Sequence, residues 1–286
     1  MNILEFQFNG EKKFEISNEK TNYSDKSYTK EELQFLLDKN IEKISEYQSK
    51  LYADDKYALL LIIQAMDAAG KDGAIKHVMT GVNPQGIRVT SFKQPSSEEL
   101  NHDFLWKAHK NLPERGQIGI FNRSYYEELL VVRVHNLLKN EHLPDGVLDD
   151  DIWNKRYKQV KDFEKYLFEN GIIPVKIFLN VSKSEQKKRL LERIDDKSKN
   201  WKFSEADLKE REYWNDYQNC YDEIINETGT KNCPWYVVPA DNKKLARFII
   251  SEIIENTLNT LDLKYPTLDE TKYALLEKYR KKLEED

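Results

Sequence analysis

The strongest constraint on this chain is one transition near residue 70. An apolar run, Tyr57 to Ile63, leads to Asp67-Ala68-Ala69-Gly70-Lys71-Asp72-Gly73-Ala74-Ile75, and a helical pattern continues through Met79. Strand, Gly-Lys turn and helix, in that order, make the architecture of a phosphate-binding loop. Backbone N–H groups and the positive end of the helix dipole face an anion there, and the lysine neutralises it. The segment departs from the pattern G-x-x-x-x-G-K-[ST]. Ala65 stands at the first glycine, Asp72 stands at the Mg²⁺-binding hydroxyl, and Asp67 adds an acid inside the loop. Gly-Lys-Asp-Gly alone would serve equally well as a surface turn. The flanking strand and helix favour the anion site.

The rest of the chain repeats the alternation. Thr29-Lys30-Glu31-Glu32 is a capping box that starts a helix running to about Tyr52. Strands are expected at 57–63, 87–92, 117–121, 173–180 and 235–239. A second capping box, Ser96-Ser97-Glu98-Glu99, opens another helix, expected to carry both His102 and His109, and a long helical segment covers 149–170. Such alternation implies an α/β fold, a parallel sheet with helices on both faces. Six of the ten glycines fall between Gly70 and Gly119, which places tight turns at the ends of the early strands, where open α/β sheets hold ligands. Residues 1–28 read as an extended polar arm, 29–265 as the main domain, and 266–286 as a charged C-terminal helix beyond the Tyr265-Pro266 break. The stretch 142–151 reads as a mobile connection.

Composition limits the function classes. A net charge of −5 argues against general duplex DNA binding. Cys220 and Cys233 stand apart, without metal-ligand spacing, and read as thiols in a reducing compartment. The N-terminal residues show no secretory pattern, and no apolar run approaches the ~18 residues that span a bilayer. A soluble, cytoplasmic protein with no nucleic-acid or membrane partner is expected. His77, His102, His109, His135 and His142 show no close pairing and read as packing or surface residues.

A second motif, Ile118-Gly119-Ile120-Phe121-Asn122-Arg123-Ser124-Tyr125-Tyr126-Glu127, ends an apolar strand in a polar cluster. In phosphate-loop enzymes this strand usually ends in a metal-holding acid. Asn122 occupies that position, and Arg123 beside it offers the bidentate phosphate contact that lysine cannot. Tyr125, Tyr126 and Phe92 could stack on a base or could belong to the core.

Together these segments resemble the polyphosphate kinase 2 family. The resemblance rests on Met66–Gly73, on Gly81-Val82-Asn83-Pro84-Gln85-Gly86, on Phe121–Glu127, and on Arg193-Ile194-Asp195-Asp196 with Asn200-Trp201-Lys202-Phe203. These stand in order across about residues 30–265. Asn-Arg-Ser with a following Glu resembles the subgroup that accepts both nucleoside mono- and diphosphates. The resemblance implies a P-loop kinase-like three-layer fold with a helical lid at about 182–205. It implies phosphoryl transfer between inorganic polyphosphate and AMP, ADP or ATP, with guanine nucleotides as further candidates. It also implies Mg²⁺, with Mn²⁺ as an alternative, and a homodimer or homotetramer.

By the same resemblance Asp67, Lys71 and Arg123 carry the catalysis. Ala69, Gly70, Asp72, Gly73, Lys76, Asn122, Glu127 and Arg133 bind substrate. Asp67, Asn122 and Glu127 place the metal. Lys187, Lys188, Arg189 and Arg193, with Lys199 and Lys202, form a basic lid over polyphosphate. Two other readings stay open: an ATP-dependent nucleoside monophosphate kinase, and a catalytically silent polyphosphate-binding protein.

Overall fold

The computed structural model describes residues 1–23, 28–144 and 146–285. Six strands form one sheet: β1 (Gln7–Phe8), β2 (Ala58–Ala65), β3 (Ile87–Ser91), β4 (Ile118–Asn122), β5 (Ile172–Asn180) and β6 (Trp235–Pro239), in the order β1-β6-β5-β2-β4-β3. All eight residues of β2 are buried, and it pairs in parallel with β4 and β5. A parallel strand covered on both faces reads as a continuous apolar run rather than an alternating one, which is why Tyr57–Ile63 is so plain in the sequence.

The helices are α1 (Lys30–Asp54), α2 (Lys71–Val78), α3 (Ser97–Leu100), α4 (Trp106–Lys110), α5 (Val131–Val134), α6 (Ile152–Glu169), α7 (Lys183–Asp195), α8 (Glu205–Glu212), α9 (Trp214–Thr228), α10 (Lys243–Asn259) and α11 (Glu270–Glu285). The Thr29 capping box forms as expected: Glu32 N donates to Thr29 Oγ1 at 3.1 Å, and Thr29 N donates to Glu32 Oε2 at 2.6 Å. One helical layer brings α1 and α2 onto α10; elsewhere α6 packs on β5 and α9. Among the described residues no helix is long and apolar enough to cross a membrane.

Three expectations need correction. First, the N-terminal segment is no free arm. Phe6, Phe14 and Ile16 are buried, and β1 adds to the sheet edge antiparallel to β6, so the sheet is not wholly parallel. Residues 24–27 of that segment lie outside the described residues. Second, the helix from Ser96 stops after one turn. Asp103 Oδ1 accepts from Leu105 N at 2.9 Å, an Asx turn that competes with helical hydrogen bonding. His102 thus falls between α3 and α4, apart from His109. Third, the 149–170 helix starts only at Ile152. The connection expected at 142–151 contains Asp145, which lies outside the described residues.

The topology fixes where a site can form. Ile63 of β2 pairs with Asn122 of β4, and Arg123 N donates to Ile63 O at 3.0 Å. The loop after β2 and the turn after β4 therefore lie side by side at the carboxyl edge of the sheet. The segments after β5 and β6, which lead into α7 and α10, border the same edge.

Candidate active site

The loop after β2 is held in an unusual backbone shape. Gly70 caps α2 with φ 106°, and Ala68 adopts φ 59°. Side chains rarely take such angles, so glycine at 70 is required by conformation rather than by space. Lys71 folds back, its Nζ donating to Ala65 O at 3.2 Å. Burial, and then the Arg123 guanidinium, lower its pKa to about 8 against the pull of Asp67, Glu127 and Asp72.

Opposite the loop, Arg123 also has a left-handed backbone, φ 61°. Its Nη2 donates to Asp67 Oδ1 at 2.6 Å, and its Nη1 donates to Glu127 Oε2 at 2.9 Å. Those two acids, Glu127 foremost, raise its pKa further despite burial. Asn122 Nδ2 donates to Asp72 Oδ1 at 2.7 Å. The buried Gln64 amide braces the cluster from β2, its nitrogen 3.1 Å from Glu127 Oε1 and its oxygen accepting from Ser124 Oγ at 3.1 Å.

Two cavities open on this cluster. One, of about 520 Å³, is strongly basic. Lys71, Arg123, Arg193, Lys199 and Lys202 line it as the sequence suggests, and Asp67, Gly70, Asp72, Gly73 and Asn122 form its floor. Sequence reasoning missed three further cations there: Lys93, just past β3, and Lys243 and Arg247 in the first turns of α10. Burial depresses the pKa of both α10 cations, with Arg189 adding to the effect on Lys243. Two signals could have found them: Lys93 follows the carboxyl end of a strand, and Lys243 and Arg247 stand four apart, on one helix face.

The second cavity, about 280 Å³, has the opposite character. Asp67, Glu127, Asp207 and Glu210 line it beside the apolar Met66, Leu130 and Val131. Glu210 Oε2 accepts from Tyr217 Oη at 2.6 Å and lies 3.0 Å from His135 Nε2. Asp207 pairs with Arg193 at 2.8 Å, while its burial raises its pKa. Both cavities are lined by Asp67 and Arg123. A negatively charged chain in the first would therefore meet a second ligand at that pair.

Residues 24–266 match the model of the family described as polyphosphate kinase 2. The chain belongs to the polyphosphate kinase 2 family. It is 52% identical over 240 residues to the ADP-polyphosphate phosphotransferase of Rhodopseudomonas palustris, covering 83% of each chain. It is 43% identical over 231 residues to the AMP/ADP-polyphosphate phosphotransferase of Meiothermus ruber, covering 81% of this chain and 82% of the relative. Among solved structures it resembles polyphosphate kinase 2 from Arthrobacter aurescens, with TM-score 0.88, 38% identity and 97% of each chain covered.

The remaining residues expected at the site of this polyphosphate kinase 2 family member are placed differently from one another. Arg189 lines the basic cavity as expected, but its side chain is buried and its guanidinium is committed to carbonyls. Its Nη1 donates to Ala68 O at 3.2 Å and Ala69 O at 2.6 Å, and its Nη2 to Ala240 O at 2.7 Å and Asp241 O at 3.0 Å. Instead of reaching freely over a ligand, it ties the phosphate loop to the end of β6. Lys187 and Lys188 are exposed on α7 and line neither central cavity; Lys188 pairs loosely with Glu185 at 3.9 Å. Helical geometry accounts for this, because Gln186, Arg189 and Leu190 form the buried face of α7 and Lys187 and Lys188 fall on its exposed side.

Arg133 is drawn away from the loop by Glu223, to which it donates at 2.7 and 3.0 Å, and it lies over the Trp153 ring. Lys76 is exposed on α2 and lines neither cavity. Tyr125 and Tyr126 are buried with their hydroxyls bonded, which leaves no face for a base. Phe92 lines the basic cavity, and Trp201 is exposed with Lys202 above its ring.

Proposed function

We propose that this enzyme moves phosphoryl groups directly between inorganic polyphosphate and nucleoside mono- and diphosphates, converting AMP and ADP to ADP and ATP. The observation that carries the reading is the pair of cavities of opposite charge that both reach Asp67 and Arg123. Polyphosphate bears about one negative charge per phosphate, so it suits the cavity lined by Lys71, Lys93, Lys243 and Arg247. The acidic cavity suits a nucleotide acceptor. Its carboxylates accept from the N–H and O–H groups of a nucleoside, and Arg123, which also lines it, meets the acceptor's phosphate.

Phosphoryl transfer depends on positioning and charge neutralisation more than on covalent chemistry. An acceptor phosphate oxygen attacks the terminal phosphorus of the chain. The bridging P–O bond breaks, and the shortened polyphosphate leaves with the electron pair. Lys71 and Arg123 hold the transferring group between the two ligands. Among the described residues no histidine lines either cavity, and His77 Nδ1 is engaged with Gly73 O at 2.7 Å, which supports transfer without a phosphohistidine.

Mg²⁺, or Mn²⁺ in its place, fits the donor set. Among the described residues no three His, Cys, Asp or Glu side chains cluster as a metal cage. Mg²⁺ rarely uses one, since it takes one or two carboxylates and completes its shell with water and substrate phosphates. Asp67 and Glu127 would supply the carboxylates. Asn122, whose amide N–H goes to Asp72, keeps its carbonyl oxygen for the same purpose. When bound, the metal offsets the charge on the phosphoryl oxygens.

The test is a coupled ATP assay with polyphosphate and ADP, with no ATP supplied. ATP formation under Mg²⁺ is expected; its absence, with ATP-dependent phosphorylation of AMP instead, would favour an ordinary monophosphate kinase. Binding without turnover in either metal would mark a silent binding protein. The same assay with AMP, GMP and GDP sets the acceptor range, guanine nucleotides included. We assign the exposed Leu276, Tyr279 and Leu283 of α11 to the contact of a homodimer or homotetramer, which light scattering would detect and truncation before α11 would remove.

A further inference from the structure

Beneath the turn that carries Arg123 lies a buried ion pair with no part in the chemistry above. Lys176 on β5 and Glu164 on α6 are 0% and 1% exposed. Lys176 Nζ donates to Glu164 Oε2 at 2.6 Å and to Thr228 O at 2.7 Å, and stands 3.3 Å from Tyr126 Oη. Glu164 Oε1 accepts from both Tyr125 Oη at 2.8 Å and Tyr126 Oη at 2.7 Å. Thr228 Oγ1 lies 2.9 Å from Tyr126 Oη and accepts from Trp235 Nε1 at 2.9 Å. All three ammonium hydrogens of Lys176 thus have acceptors.

Stability alone is a poor reason for such a pair. Desolvating two charges costs about as much as their attraction returns, and apolar replacements of similar volume are often neutral or stabilising. The sequence position of the tyrosines suggests another reason. They lie between Arg123 and Glu127, the two residues whose side chains meet across the turn at 2.9 Å. Arg123 also holds a left-handed backbone, φ 61°, a conformation that costs on the order of 1 kcal/mol and persists only where its surroundings over-determine it.

We propose that the Lys176–Glu164 pair is a positioning device for phosphoryl transfer. It fixes both tyrosine hydroxyls, and through them the turn that presents Arg123 and Glu127 to the reacting phosphates. Neither residue touches substrate. The proposal rests on the functional reading above.

The charge-neutral double variant Lys176→Met/Glu164→Leu tests it without stranding a buried charge. The expected result is a folded protein with a melting temperature near that of the parent. Its kcat should fall roughly 10- to 100-fold, as for a catalytic group misplaced by a fraction of an ångström, with little change in KM for either substrate. Lys176→Met/Glu164→Gln keeps an acceptor for the tyrosines and should recover most of the kcat. Tyr125→Phe/Tyr126→Phe, which leaves the ion pair in place, should reproduce the loss and decides the matter if the first variant does not fold. Undiminished kcat in the folded Leu variant or in the Phe variant overturns the positioning role, as does failure of Gln to restore what Leu removes. No transfer from polyphosphate by the parent protein would instead overturn the functional reading, and this proposal with it.

Discussion

Arg123 Nη2 lies 2.6 Å from Asp67 Oδ1, and these two residues line both the basic and the acidic cavity. The pair joins the turn after β4 to the loop after β2 at the place where donor and acceptor would meet. Arg123→Lys keeps the charge but loses the fork that reaches Asp67 and Glu127 together. Its kcat should fall on the order of 10³-fold, the scale of an arginine that stabilises a transferring phosphoryl group, with circular dichroism unchanged. Activity within a few-fold of the parent would exclude Arg123 from the transfer step.

Lys71→Ala should abolish transfer while the fold survives, because among the described residues the Lys71 ammonium donates only to Ala65 O. Thermal melting alongside the assay separates loss of the cation from loss of the fold. Retained activity would refute the site.

The pH profile of the free enzyme should carry the mark of Lys71. Its pKa stands at about 8 against an ordinary 10.5, so kcat/KM should decline as pH rises through about 8 and the ammonium is lost. Its effect on stability has the opposite sign. Between the folded and unfolded values the unfolded chain binds the extra proton, so this group's contribution to stability rises with pH across that window. Lys71→Ala, followed by melting alone, should lack this rise. A kcat/KM flat across the window would contradict the assignment.

Lys243→Ala and Arg247→Ala should raise KM for polyphosphate about tenfold each, the value of one charge-assisted hydrogen bond of about 1.5 kcal/mol. KM for the nucleotide should hardly move. Equal effects on both substrates would mean that the basic cavity does not belong to the donor.

Arg189→Ala should destabilise the protein by about 3 kcal/mol or more, since it strands buried carbonyl oxygens after β2 and β6. Lys187→Ala and Lys188→Ala, on the exposed side of the same helix, should stay within about 0.5 kcal/mol and leave polyphosphate KM unchanged. Denaturant unfolding distinguishes a strut from a free lid cation.

The sequence by itself determined five of the six strands, the loop and the family. Strands β2, β4, β5 and β6 declare themselves because they are largely buried apolar runs bounded by turn residues. The α1 cap is a four-residue signal, Thr29 to Glu32, and each half of the proposed catalytic cluster is contiguous in sequence. Tertiary structure alone decided which cations of the basic cavity are tied to the protein and which are left to meet a ligand. Helical spacing says that Arg189 and Arg193 share a face of α7, but not what that face meets. Arg189 meets the carbonyls of Ala69 and Ala240, brought from 120 and 51 residues away, whereas Lys243 and Arg247 reach the cavity because β6 delivers α10 to its rim. Lys176 shows the same limit: a lysine inside an apolar strand reads only as an interruption until α6 sets Glu164 against it. Local patterns are written in neighbouring residues; the partner of a buried charge is chosen by packing between segments the sequence keeps apart.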